Sequence, residues 1–125
     1  MPENIRYRIG AAAEIPEKGV VVAQAGDLQV GVFRVKGRLY AYENRCAHQG
    51  GPVCRGDVLG RFEEPIGPGG ESLGLVQSEE RIDIACPWHG WEYDIETGEH
   101  IADRQIKLRG FPVYEDDGAV YVEVT

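Results

Sequence analysis

Methionine occurs once in the 125 residues, tryptophan twice, and cysteine and histidine three times each. Three cysteines cannot make an even-numbered disulfide framework, so a reducing compartment, the cytoplasm, is expected. No apolar run approaches the ~20 residues of a membrane span. The start, Met1-Pro2-Glu3-Asn4-Ile5-Arg6, lacks the basic and then apolar profile of a secretory signal. Neither export nor a membrane anchor is therefore expected. Basic residues are also few, with 13 Lys and Arg against 21 Asp and Glu and a formal net charge of -8. No local cluster of them offers the countercharge that phosphates require, which argues against a nucleic-acid partner. The acidic balance serves solubility or steers encounter with a basic partner. Repeats and low-complexity tracts are absent.

What the chain does have is glycine, 17 residues, and proline, 7 residues, between short apolar segments. An all-β class follows, in one domain spanning 1–125 that buries roughly two thirds of its unfolded surface. Residues 5–9 alternate apolar and charged side chains as a half-buried strand does. Residues 11–16 read as a turn or short helix, and 19–23 as a strand. Residues 29–36, a turn at Gly37-Arg38 and residues 39–43 form a hairpin. Further strands are expected at 81–85 and 92–94. A second hairpin is expected from 111–114 and 119–124 around the turn Asp116-Asp117-Gly118. Residues 55–80 are acidic, with few aromatics and a loop-like centre at Pro65, Gly67, Pro68, Gly69 and Gly70. They are expected to form an exposed excursion rather than core.

Two stretches each pair a thiol with an imidazole, Cys46-Ala47-His48 and Cys86-Pro87-Trp88-His89, and glycine follows both, at Gly50-Gly51 and at Gly90. Thiolate suits iron-sulfur clusters and zinc, and imidazole suits iron and zinc, so the mixed set leaves two main candidates. Structural zinc sites commonly pair like ligands, cysteines at two to four residues and histidines at three to five. Here each loop carries one of each, which lets each loop give one ligand to each metal of a two-iron unit. Cys54 reads as a packed free thiol, and His100, after Glu99 in a polar stretch, as a solvated residue with no role.

The pattern C-x-H followed later by C-x-x-H, with Gln49-Gly50 after the first and Gly90-Trp91-Glu92-Tyr93-Asp94 after the second, resembles the Rieske iron-sulfur family. The resemblance implies a Rieske-type fold of antiparallel sheets with a two-loop cluster-binding subdomain, the loops at about 44–54 and 84–93 and an insertion at about 55–80. It implies one 2Fe-2S cluster, with Cys46 and Cys86 on one iron and His48 and His89 on the other. Neutral imidazoles make such a cluster easier to reduce, placing Rieske potentials at about -150 to +300 mV. Gly50, Gly51 and Gly90 let the loops turn tightly and bring backbone N–H groups toward cluster sulfur. Trp88, Trp91 and Tyr93 are expected to form an apolar cover. High-potential members carry a disulfide between the loops, where this chain has Gly51 and Trp88, and a serine where it has Trp91. A low potential, about -150 mV, is expected.

A soluble ferredoxin-type carrier follows from the resemblance, with a flavin reductase as donor and a terminal oxygenase or similar enzyme as acceptor. Rieske oxygenases add a catalytic domain with mononuclear iron. Beyond the motifs only His100 remains, so a two-His-one-carboxylate site is not expected in this chain, and no catalytic residue is assigned. The alternatives are a small subunit of a larger oxidoreductase such as a nitrite reductase, and a structural zinc module.

Overall fold

A computed structural model describes residues 5–47, 50–88 and 90–124. In these residues the chain runs through β1 (Ile5–Ala11), β2 (Val20–Ala25), β3 (Leu28–Val35), β4 (Arg38–Glu43), β5 (Asp57–Glu63), β6 (Val76–Ala85), β7 (Glu92–Asp94), β8 (Gly110–Phe111), β9 (Val113–Asp116) and β10 (Ala119–Val124). Short 3-10 turns occupy Ala12–Glu14 and Val53–Arg55. The all-β expectation holds, and among the described residues no helix is long and apolar enough to cross a membrane.

The strands form three antiparallel sheets, ordered β1-β10-β9, β2-β3-β4-β8 and β5-β6-β7. The second lies between the other two, because β3 is buried on both faces. Val30 and Val32 join Val120 and Val122 of β10 in one apolar core. On the opposite face Phe33 and Val35 join Ile82, Ile84 and Tyr93 of the third sheet in another. Successive strand residues point to opposite faces, so one strand serves two cores.

The β3–β4 hairpin closes with Val35 opposite Arg38. Its two-residue turn is Lys36-Gly37, one position earlier than expected, with φ of 53° and 77°. That pair of positive values marks a turn whose twist matches the flanking strands. Asp117-Gly118 repeats the arrangement between β9 and β10, at φ 51° and 78°. The strand expected over 111–114 divides at Pro112: Phe111 pairs with β4, while Val113 and Tyr114 pair with β10.

The expectation for residues 55–80 needs correction. Much of this stretch is a hairpin, since β5 and β6 pair from Asp57↔Ala85 to Glu63↔Val76, with an irregularity between Gly60 and Phe62. Only the part beyond that irregularity is an excursion; there Phe62, Ile66, Leu73, Leu75 and Val76 are exposed. The base of the hairpin is pinned by Arg61. Its guanidinium donates to Asp83 at 2.8, 3.0 and 3.2 Å and to Asp94 at 2.9 Å, joining β5, β6 and β7.

Candidate metal centre

β4 and β6 each end by delivering the chain into a loop that starts with a buried cysteine. The first loop is anchored by Asn44. Its amide donates to Gln29 Oε1 at 2.6 Å and its Oδ1 accepts the Cys54 N–H at 2.8 Å, tying the loop's beginning to its end.

The two loops share one hydrogen-bond plan. The Cys46 N–H donates to Gly51 O at 2.7 Å, and the Gly50 N–H returns to Cys46 O at 2.8 Å. The Cys86 N–H donates to Trp91 O and the Gly90 N–H to Cys86 O, both at 2.8 Å. In each case the bonds join the cysteine to the residues four and five positions on. Gly50 and Gly90 both hold left-handed backbone, φ 73° and 70°, which glycine adopts without the steric cost of a Cβ. The loops are therefore built alike, although their histidines stand two and three positions after the cysteine.

Cys46 and Cys86 belong to the same buried core, together with Tyr93. The Tyr93 hydroxyl lies 3.1 Å from Cys46 Sγ. Its pKa is raised, first by burial and then by this hydrogen bond, so the phenol stays protonated and able to donate. The loops also touch each other. A Cβ on Gly51 would come within 2.8 Å of the Trp88 ring, so the absence of a side chain there admits the indole. Gly56 is constrained similarly, since a Cβ would overlap the Ala85 carbonyl oxygen just before Cys86.

Of the four predicted site residues, Cys46 and Cys86 are brought into one core, and neither is in a disulfide. His48 and His89 lie outside the described residues. The expected apolar cover divides by role: Tyr93 is fully buried, Trp91 half-buried, and Trp88 58% exposed. Cys54 is fully buried, and a Cβ on Gly31 would overlap it. Its thiol donates weakly to Tyr42 O at 3.5 Å, and burial pushes its pKa up to about 12.

The reading of His100 as a solvated residue is corrected. It is half-buried and packs edge-on against Trp91 and Tyr93, with centroids 4.5 and 5.5 Å away. Its Nδ1 accepts the N–H groups of Ala102 and Asp103 at 3.1 and 3.2 Å. Its partners Trp91 and Tyr93 belong to the second loop's flank, which no local pattern around His100 reveals. Asn44 had a weak signal, an amide side chain between a strand and a cysteine, where it can bond local backbone.

The model of the Rieske [2Fe-2S] domain matches residues 5–112. The chain belongs to the Rieske family. This Rieske domain is 26% identical over 142 residues to a human Rieske domain-containing protein, covering 99% of the chain and 80% of the relative. It is 25% identical over 101 residues to the ferredoxin component of the naphthalene 1,2-dioxygenase/salicylate 5-hydroxylase systems of a Ralstonia species, covering 80% and 77%. In fold it matches the protein assigned as an NADH-dependent nitrite reductase small subunit of Mycobacterium tuberculosis, with TM-score 0.75 and 19% identity over 99% and 98% of the two chains. Its cofactor is a 2Fe-2S cluster, and its role is electron transfer. The described half of the site fits that group, because two buried thiols on matched loops form a soft donor pair shielded from water.

Proposed function

We propose that Cys46 and Cys86 hold one iron of the cluster and His48 and His89 the other, and that the protein is a ferredoxin-type carrier between a flavin reductase and a terminal oxygenase. The observation that carries this reading is the pair of loops with identical backbone bonding, each starting from a buried thiol. The bound cluster takes up and releases one electron at a time. Around it the chain supplies a hydroxyl donor from Tyr93, tight glycine turns and a buried apolar floor. The domain is a single unit over 1–125, with cluster loops at about 44–54 and 84–93. A reducing compartment, the cytoplasm, suits the remaining thiol, Cys54.

The packing of Trp88 on Gly51 supports a low potential, since no inter-loop disulfide can occupy those positions. The expected midpoint is about -150 mV, and a redox titration giving a clearly positive value would reject it. The reading as a whole is tested by EPR of the anaerobically purified, dithionite-reduced protein, with iron and acid-labile sulfide counted on the same sample. A rhombic signal of low average g with two irons and two sulfides is expected. An EPR-silent protein containing zinc would establish the structural-zinc alternative. A small subunit held in a larger oxidoreductase is favoured by the end-to-end fold match to the nitrite reductase small subunit. Stable co-purification with a large redox subunit would select it.

A further inference from the structure

The net charge of -8 suggests that this protein meets basic partners, but the charge is unevenly placed. The β5–β6 arm carries Asp57, Glu63, Glu64, Glu71, Glu79 and Glu80 against Arg61 alone in residues 57–80. The first cluster loop faces the opposite sign. Beside it opens a cleft of about 460 Å³ whose walls include Cys46, Ala47 and Gly50 together with Arg45, Lys107 and Arg109. Among the described residues Glu43 is the one carboxylate lining it.

All three cations are exposed. Arg6, Arg34, Arg61 and Arg104 each have a carboxylate partner, whereas these three have none among the described residues. Their backbones are nonetheless held. The Arg109 carbonyl accepts the Glu43 N–H at 2.8 Å, and its guanidinium lies 5.0 Å from the Phe111 ring centroid. The Arg45 Nε lies 3.5 Å from where a Cβ on Gly50 would be, so this side chain runs along the loop. Trp88, exposed and resting on Gly51, adds an aromatic anchor from the second loop.

We propose that this cleft is the docking surface for a redox partner whose electron-exchanging face carries carboxylates, an inference that rests on the carrier reading. At physiological salt the screening length is about 8 Å. A docked partner therefore senses chiefly the cations that line the cleft, Arg45, Lys107 and Arg109. Charged groups placed this way set orientation and encounter rate.

Two trivalent probes test the surface. Hexacyanochromate(III), a redox-inert paramagnetic anion, is added to the 15N-labelled oxidised protein, with hexaamminechromium(III) as its cationic counterpart. The anion is expected to broaden the amide signals of Glu43, Lys107 and Arg109 first, and the cation those of the arm. Concentration of the cation at Lys107 and Arg109 instead would overturn the proposal. The kinetic test is stopped-flow oxidation of the reduced protein by hexacyanoferrate(III), in which one electron passes from the cluster to give hexacyanoferrate(II). Despite the net negative charge, the rate should fall as salt rises from about 10 to about 300 mM. Arg45→Glu with Arg109→Glu should slow it at low salt about tenfold and reverse the salt slope. Arg8→Glu with Arg38→Glu makes the same net change on exposed residues; Arg38 lies at the end of β4 remote from the loop, and this pair should leave the slope unchanged. A wild-type rate that rises with salt would sink the proposal. Failure of the carrier reading registers separately, as loss of the EPR signal, and the chromium mapping does not depend on it.

Discussion

Tyr93 has no solvent exposure, and the only described thiol its hydroxyl bonds is that of Cys46, at 3.1 Å. A hydrogen bond donated to a thiolate strengthens as the thiolate gains charge, so it favours the reduced centre. If the difference between the two states is about 1 kcal/mol, the size of an ordinary net hydrogen bond, it corresponds to roughly 40 mV for a one-electron couple. Tyr93→Phe should lower the midpoint by about that much and keep the EPR line shape; an unmoved midpoint would show that the hydroxyl does not tune the centre. Cys54 presents the opposite case, a thiol that burial isolates. With its folded pKa raised to about 12, above the ordinary thiol value of about 8.5, the folded protein retains a proton that the unfolded chain gives up. Its contribution to stability is complete below about pH 8.5 and is lost as pH rises toward 12. Native protein at pH 8 should therefore leave Cys54 unlabelled by a thiol reagent, and unfolding should expose it. Cys54→Ala should keep iron, sulfide and EPR signal at a cost of about 1 kcal/mol in denaturant titration. Loss of the cluster in that variant would make Cys54 a ligand.

The third sheet shows where sequence and structure part. The β3–β4 and β9–β10 hairpins were legible because alternation, paired register and a glycine turn all lie within a few residues. The two cysteine loops were legible as a matched pair for the same reason, since cysteine and glycine recur in both at short fixed offsets, and the shared backbone bonding follows that spacing. The β5–β6 arm was not. Its outer half is exposed on both faces, so no apolar period betrays the strands, and its glycines and acids mimic a loop. What holds its base is Asp83, fully buried and bonded by Arg61 from the neighbouring strand. That contact is long-range and carries no local signature. Arg61→Ala leaves the buried carboxylate uncompensated and should cost about 3–5 kcal/mol in denaturant unfolding. Replacing residues 63–76 with Asn-Gly, so that Phe62 and Gln77 close a short hairpin, should cost less than about 1 kcal/mol and leave the visible spectrum unchanged. Equal losses in the two variants would refute the division of the arm into a structural base and a dispensable tip.

At the scale of the whole molecule, three layers enclose two cores that share β3 but differ in dependence on the cluster. One core, between the first and second sheets, contains Ile15, Val30, Val32, Val120 and Val122 and no cysteine. The other contains Cys46 and Cys86 beside Phe33, Ile82, Ile84 and Tyr93. Its two loops converge on the thiols, and direct loop-to-loop packing includes the contact of Trp88 with Gly51. Binding free energy that a metal group contributes at such a point is folding free energy for the elements around it. The layer built on the first core has its own register, from β1 through β10 to β9, and needs no ligand. Removing the cluster with acid and chelator should therefore divide the molecule. Native-state hydrogen exchange should show protection retained in β1, β9, β10 and the β2–β3 pairing, and lost from the two cysteine loops, β7 and the base of the β5–β6 hairpin. The shared strand decides the outcome, because its hydrogen bonds to β2 and β4 belong to the central sheet and stay even when one face opens. Uniform loss across the described strands would show that the cores unfold as one unit; unchanged protection in both cysteine loops would show that they are held by the protein alone.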